Sequence, residues 1–479
     1  MIRSLLTFYG KPATLIVYML QSTEYEVGPY MRWFWRTQDF SRVMRRRSLD
    51  ATRRAVALRL LLRAGILAQI GTGLALILAG ALSGEWMIGL IFGLAFLLSY
   101  PLFWAHVVVL PLWLAKVLIV LPRAKKQVAD SEKIFAGHQA AKIAIAGSYG
   151  KTTMKELLQT VLGESLKVAA TPGNKNVSVS HAAFACRLQG DEDVLIIEYG
   201  EGQPGDIARF AQHTHPTKAF ITGVAAAHLD KYKTVERVAA DLFGIADFVD
   251  PAQVYVNGES PAAKPYLTKG FQVYSSAGIG GWMVADVKVS LEGTSFTLAH
   301  GKRRIGLHSG LLGRHQIGPL AAAAVLALEL GLSEEQLKAG VAKTTAFEHR
   351  LKPYKLGGAW ILDDTYNGNL EGIRAGTALL AELPAKRKWY VTPGLVDQGY
   401  ETAEIHEQAG RLIAAAKPDI VVLMKNSTTE HIQAGLEAAR FKGELRVEPD
   451  PLAFYTNLEQ FVAGGDLVLM QNDWTDNYA

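Results

Sequence analysis

Cysteine is nearly absent from this 479-residue chain. Cys186 stands alone, so no disulfide framework or cysteine-rich metal site can form within one copy, and no oxidising compartment is needed. Acidic residues are scarce in the first 63 positions, where Glu24, Glu26, Asp39 and Asp50 face eleven Arg and one Lys. That segment carries a net +8, which leaves −3 for residues 64–479 out of a total of +5. The basic balance belongs to an N-terminal arm and not to the body, which argues against a nucleic-acid-coating surface; no nucleic-acid partner is expected. The length alone would suit roughly three soluble domains.

Charge is missing altogether from residues 64–82, AGILAQIGTGLALILAGAL, a run about long enough to cross ~30 Å of hydrocarbon as a helix. Ser83, Gly84 and Glu85 interrupt it, and a second apolar run, WMIGLIFGLAFLLSYPLFW, fills 86–104. The pair predicts a transmembrane helical hairpin, with membrane lipid as a partner. The shorter stretch 106–121, marked by Pro111 and Lys116, reads as an interfacial helix. Arg42, Arg45, Arg46, Arg47, Arg53, Arg54, Arg59 and Arg63 precede the first run, and Arg123, Lys125 and Lys126 follow the block. Both flanks therefore prefer the cytoplasmic side, giving a two-pass protein of the inner membrane. The cluster Trp33, Phe34 and Trp35 beside Arg32 and Arg36 suits either a headgroup interface or packing of the arm. The expected organisation is an arm at 1–63 and a membrane hairpin with interfacial helix at 64–126, followed by two α/β domains at 138–348 and 350–479.

From Lys142 short apolar strands alternate with helical stretches, the pattern of an α/β domain. The strand candidate KIAIA (142–146) runs into GSYGKTT, comprising Gly147, Ser148, Tyr149, Gly150, Lys151, Thr152 and Thr153, and then into a helix. Backbone N–H groups of such a loop and the helix N-terminus converge on an anion. Lys151 would reach the β- and γ-phosphates of a nucleotide, and the Thr152 hydroxyl would hold Mg²⁺. The common phosphate-loop pattern has a glycine where this chain has Ile145. A strand candidate at 194–197 ends at Glu198, placed to bind the same Mg²⁺, and another at 219–223 leads to His228, a second metal ligand or an orienting group. His213 and His215, in QHTHPT, read as ordinary loop histidines.

With these motifs in order the chain resembles the Mur ligases, most like the branch that adds D-alanyl-D-alanine to the peptidoglycan precursor peptide. The stretches that carry the resemblance are GSYGKTT, TPGNKN (171–176), IIEYGEGQPGDI (196–207), AAAHLD (225–230), LLGRHQIGPLAAAA (311–324), FEHRLKP (347–353), DDTYNGN (363–369) and TPGLVDQG (392–399). They cover roughly residues 140–479. The resemblance implies an α/β fold with a central ATP-binding P-loop domain and a C-terminal Rossmann-like domain. It further implies phosphate and Mg²⁺ on Lys151 and Thr152, further metal contacts from Glu198 and His228, and adenine near His315. Arg350 and Asp364 would reach ATP from the last domain, Asn174 and Asn176 would lie near the reacting carboxylate, and Tyr366 and Asn367 would face the cleft.

The departures are specific. The family often carries a carbamylated lysine fourteen residues after the histidine of its HL pair, and here that position is Leu242, with Asp241 beside it. The usual His-Asn pair reads His315-Gln316, and the C-terminal Lys-Gly-Ser stretch is replaced by LMQNDWTDNYA. The family's UDP-sugar domain has no counterpart at the front, where the arm and hairpin stand. The expected activity is ATP-dependent amide ligation through an acyl phosphate, joining an amino acid or dipeptide, with D-alanyl-D-alanine first, to a peptidoglycan-precursor carboxylate. The alternatives are a lipid-linked or poly-amino-acid acceptor, or a nucleotide-binding membrane scaffold without ligase activity. A hinge is expected near 350–358, from Pro353, Gly357 and Gly358.

Overall fold

The computed structural model describes residues 2–40, 43, 49–226, 228–366, 368–396, 398 and 401–472. It divides into two compact units, 1–126 and 127–479.

The first unit is helical. α1 (Ile2–Gly10), α2 (Pro12–Ser22) and α3 (Val27–Arg36) precede two long helices, α4 (Arg53–Ser83) and α5 (Trp86–Val107). Leu15, Ile16, Val17, Met19 and Leu20 of α2 are wholly buried, in one cluster with Tyr30, Phe34, Leu62, Ile66 and Ala105. The described part of the basic arm is thus a folded helical cap on the hairpin. The Tyr30 hydroxyl donates to Ala105 O at 2.8 Å, and Lys116 pairs with Glu26 at 2.6 Å.

α4 begins eleven residues before the uncharged run, its Thr52 hydroxyl accepting from the Ala55 N–H. It ends at Gly84, whose φ of +80° turns the chain directly into α5. Glycines let the two helices touch backbone to backbone. A Cβ on Gly80 would lie 2.6 Å from Gly89 Cα, and one on Gly73 would lie 3.0 Å from Gly93 O. Gln69, the polar break in the first run, donates to Ser99 Oγ at 3.1 Å and Phe96 O at 3.2 Å. The stretch 106–121 is continuous with the helices on either side of it. Helix continues through α6 (Val109–Ala115), a π-turn at Lys116–Val120 and α7 (Leu121–Gly137). The π-turn precedes Pro122, whose ring crowds the carbonyl four residues back, and the Leu121 N–H reaches Lys116 O instead.

In the second unit, β1 (Ala141–Ala146), β2 (Val168–Ala170), β3 (Val194–Glu198), β4 (Lys218–Ile221), β5 (Val254–Asn257) and β6 (Gln272–Ser275) form the parallel part of a ten-stranded sheet, in the order 2-3-1-4-5-6. The antiparallel strands β7 (Gly278–Ile279), β8 (Trp282–Ser290), β9 (Gly293–His300) and β10 (Arg303–Ser309) extend it beyond β6. β1 is covered on both faces, which is why its sequence is apolar throughout: Ile143 and Ile145 enter one core, Ala144 and Ala146 the other. α8 (Lys151–Leu162) buries Met154, Leu157, Leu158, Val161 and Leu162 against that sheet, each such side chain stabilising by about 1.5–3 kcal/mol. The alanine-rich helix Ile317–Glu329 packs there too, with Ala321 to Ala324 fully buried.

A second sheet takes the order β11 (Lys352–Leu356), β12 (Ala359–Asp364), β16 (Asp466–Gln471), β13 (Arg387–Thr392), β14 (Ile420–Met424), β15 (Glu444–Glu448), parallel except for β11. Gly357 and Gly358, expected at a hinge, instead form the two-residue turn of the β11–β12 hairpin, with φ of +56° and +81°.

Replacing Gly80 with Leu should cost the helical unit about 1–3 kcal/mol, read as a lower denaturation midpoint of its helical circular dichroism. An unchanged midpoint would mean that α4 and α5 do not meet through this glycine face.

Candidate functional site

β1, β3 and β4 all end on one edge of the first sheet, and the loops that follow them converge there. The loop from β1 is tightly constrained. Gly147 has φ +148° and lies so close to Thr222 that no side chain fits, and Gly150 has φ +77°. The Ser148 N–H donates to Gly223 O at 2.8 Å, the Ser148 hydroxyl donates to Ala225 O at 3.2 Å, and the Thr222 hydroxyl donates to Tyr149 O. Tyr149 covers Gly223, where a Cβ would strike its ring. Because residue 150 is glycine, α8 begins without a side-chain cap, leaving its first N–H groups without a side-chain acceptor.

Two lysines one turn apart on α8 each meet a buried carboxylate. Lys151 Nζ lies 2.6 Å from Glu201 Oε2 and also donates to Gly147 O. Lys155, 0 % exposed, lies 3.3 Å from Glu198 Oε2 and donates to Gly173 O. Glu198 is further held by the Thr152 hydroxyl at 3.1 Å and by Asn176 Nδ2 at 3.3 Å. Its backbone N–H donates to Thr171 Oγ1 at 3.1 Å, and its carbonyl accepts from His181 Nε2 at 2.8 Å. Burial lowers the His181 pKa to about 4, so the ring is neutral. Thr152, Glu198 and Asn176, separated widely in sequence, therefore meet at one point, with Lys151 and the loop beside them.

The remaining expected residues are distributed differently. His228 is exposed, in left-handed backbone with φ +49°, and among the described residues no group of three or more His, Cys, Asp or Glu side chains converges as a metal cage. Thr153 lies within the first turn of α8, and Asn174 is exposed on the loop that carries Asn176. Leu242 is fully buried in the core, while Asp241 accepts from the Tyr232 hydroxyl at 2.8 Å and the Gly205 N–H at 2.7 Å. Asp241 is thus a structural anchor and not a free solvated side chain. His315 accepts from Gln316 Nε2 at 2.8 Å, and burial lowers its pKa to about 4. Its neighbour Arg314 pairs with Glu382 at 2.9 Å, on the helix Leu370–Glu382 that follows β12.

Arg350, Asp364 and Tyr366 form a second group at the end of β12. The Arg350 guanidinium lies 4.4 Å from the centre of the Tyr366 ring. Asp364 accepts from Gln471 Nε2 at 2.7 Å, yet burial outweighs that bond and the nearby Arg350 charge, raising its pKa from an ordinary 3.8 to about 6. Asn367 lies outside the described residues.

Sequence reasoning missed Lys155, Glu201, His181 and Gln471. Lys155 carried a signal, because it stands four residues after Lys151 and so on the same helical face. His406 is structural: it donates from Nδ1 to Thr402 O at 2.6 Å and accepts the Leu395 N–H on Nε2 at 2.9 Å, pinning the loop after β13. His213 is packed against Phe135 and bonded to Ser131 at 2.7 Å, in a structural setting.

Residues 145–327 match the Mur ligase middle domain, so this segment belongs to the Mur ligases. Within that family, the chain is 30 % identical over 290 residues to the UDP-N-acetylmuramoyl-tripeptide–D-alanyl-D-alanine ligase of Escherichia coli K12, covering 58 % of this chain and 63 % of that one. The fold is similar to a crystal structure of MurF from Acinetobacter baumannii, with TM-score 0.63, 20 % identity and 73 % and 77 % of the two chains covered. It is similar also to MurF ligase from Thermotoga maritima in complex with ADP, with TM-score 0.62, 21 % identity and coverages of 73 % and 80 %. The chain spans less than two thirds of the length of the curated relatives it matches at 30 % identity or more.

The raised Asp364 pKa fixes a sign. Below pH 3.8 the group is protonated in both folded and unfolded chains, and the stability this gives is lost as pH rises through about 6. Asp364→Asn should therefore be more stable than wild type by about 2–3 kcal/mol at pH 7.5, with the difference vanishing near pH 4. Urea midpoints at both pH values check this, and equal stability at pH 7.5 would contradict it.

Proposed function

We propose that this chain is an ATP-dependent amide ligase of the Mur type. In this reading it joins D-alanyl-D-alanine to a UDP-N-acetylmuramoyl-tripeptide, or to the same peptide in another linkage. The observation that carries the reading is the meeting of the 147–153 loop, Lys151, Thr152, Glu198 and Asn176 at the uncapped start of α8. Likeness to the Escherichia coli ligase suggests the substrates.

In this reading the loop is a P-loop and the second sheet a Rossmann-like domain. The γ-phosphoryl group of ATP passes to the acceptor carboxylate, ADP leaves, and the amine of the dipeptide displaces phosphate from the acyl phosphate. The loop N–H groups and Lys151 offset charge on the transferred group, where most of the catalysis of phosphoryl transfer lies. A hydroxyl and a carboxylate 3.1 Å apart are the oxygen donors Mg²⁺ favours, so Thr152 and Glu198 would hold it. When bound, it would screen the phosphate charges. Asn174 and Asn176 orient the acceptor carboxylate, while His228 contributes from the loop after β4. His315 borders the adenine, and Arg350, Asp364, Tyr366 and Asn367 close the cleft from the second sheet.

The helical unit is proposed to anchor the enzyme in the cytoplasmic membrane, with catalysis on the cytoplasmic side. Supporting this, α4 and α5 are long and apolar, and Leu67, Leu74, Leu78, Ile91, Phe92 and Leu98 are exposed along them. The same feature favours a lipid-linked acceptor as a second reading.

Purified full-length chain with Mg-ATP and D-alanyl-D-alanine should release phosphate on addition of UDP-N-acetylmuramoyl-tripeptide, and Lys151→Ala should lower the rate by about 10²-fold or more. Release with a lipid-linked acceptor alone would select the second reading, and no release with either would refute the ligase. In cell fractionation the chain should stay in the membrane pellet after alkaline carbonate, and recovery in the supernatant would refute the anchor.

A further inference from the structure

Lys151, the residue read above as the phosphate-binding lysine, already has two partners inside the protein. Its ammonium donates to Gly147 O at the base of the loop and lies 2.6 Å from Glu201 Oε2. Glu201 is 4 % exposed, so its carboxylate is a buried charge that needs a counter-charge. Among the described residues, Lys151 is the cation paired with it. The nearest surroundings on its own loop supply none. Asp206 accepts from the Gly202 and Gln203 N–H groups at 3.1 and 3.0 Å, and Arg209 is occupied by Asp206 at 2.5 Å. Asp241 is tied to Tyr232 and to Gly205. These bonds also pin the 199–206 loop, so Glu201 is presented on a fixed backbone.

Phosphates arriving at the 147–153 loop must draw the Lys151 ammonium away from Glu201. That separation leaves a buried carboxylate close to new negative charge, and at low effective dielectric both effects oppose binding. The reverse holds on departure, because the Lys151–Glu201 pair re-forms as the nucleotide leaves. We propose that Glu201 is a positioning residue acting through Lys151: it competes with phosphate for the ammonium, weakening nucleotide binding and speeding release of ADP. The Lys155–Glu198 pair one turn away serves another end, since its carboxylate also accepts from Thr152 and Asn176 and its lysine is wholly buried.

The proposal rests on the nucleotide site of the preceding reading. Its test uses the full-length chain and fluorescent Mg-ADP, measuring affinity and dissociation rate for wild type, Glu201→Gln, Glu201→Asp, Lys151→Met and the double variant Glu201→Gln/Lys151→Met. Glu201→Gln should bind roughly tenfold more tightly, mostly through slower dissociation. Glu201→Asp, whose carboxylate is drawn back by one methylene, should fall between it and wild type, and carries the test if the glutamine variant does not fold. Most of the gain should disappear when Lys151 is Met. Unchanged or weaker binding by both Glu201 variants overturns the proposal, as does a gain that persists in full without Lys151, which would make Glu201 a direct repulsive group. Wild type that binds no Mg-ADP would overturn the nucleotide site itself, and this proposal with it.

Discussion

The Glu198 carboxylate is the constraint around which this edge of the first sheet is built. β3 is buried along its whole length, so a charge at its last residue has little access to water. Such a charge survives only when compensated, and removing one partner of a buried pair typically costs about 3–5 kcal/mol. Compensation comes from three side chains on two segments. Lys155 and Thr152 come from α8, and Asn176 comes from the loop after β2. Each bond fixes one more segment against β3. The backbone of Glu198 adds two further ties, to Thr171 and His181. The need to neutralise one carboxylate thus sets the orientation of α8, and with it the position of the loop that Gly147 and Gly150 shape.

The helical unit answers a different problem with different residues. Its long helices have few charges to place and much apolar surface, so the specificity of their pairing cannot come from hydrophobicity alone. Glycines at 73, 80, 89 and 93 provide it by letting main chains approach, and Gln69 with Ser99 adds one directional contact. The cap of α1 to α3 contributes aromatic packing, with Phe8, Phe34 and Phe40 in mutual contact. Tyr9 and Tyr100 exchange hydroxyl bonds with the chain: Tyr100 donates to Tyr9 O at 2.6 Å and Tyr9 to Leu98 O at 2.8 Å.

How much of this was legible in the sequence depended on whether the signal was local. The order strand, GSYGKTT, helix is local, and Lys151 and Thr152 stand where it puts them. The ends of β3 and β12 at Glu198 and Asp364 were equally readable, because a carboxylate closing an apolar run marks a strand terminus. The 31-residue length of α4 was not, since Arg53 to Arg63 look like a soluble basic segment until their apolar neighbours Ala55 and Leu62 are seen packed. Glycine pairs were ambiguous as well. Gly357-Gly358 has the composition of a hinge or of a tight hairpin turn, and the pairing of β11 with β12 decides it. Pairings such as Lys151 with Glu201, fifty residues apart, arise from tertiary packing and leave no periodic trace.

The connection between the two sheets of the larger unit shows how Arg350 is set. His349 and Leu351 flank it in left-handed backbone, with φ of +60° and +51°, a conformation that costs non-glycine residues on the order of 1–2 kcal/mol each. The surrounding contacts explain why they hold it. Leu351 is buried in the core of the second sheet, His349 Nδ1 meets Asp363 Oδ2 at 2.9 Å, and the Tyr366 N–H donates to His349 O at 3.2 Å. All three partners belong to the second sheet or its first loop. Arg350 is therefore held over the Tyr366 ring, close enough to Asp364 for its charge to act on that carboxyl. The groups that set the charge balance at Asp364, namely Gln471, the Leu351 backbone, Arg350 and Asp363, thus lie on the second sheet or in the segment leading into it.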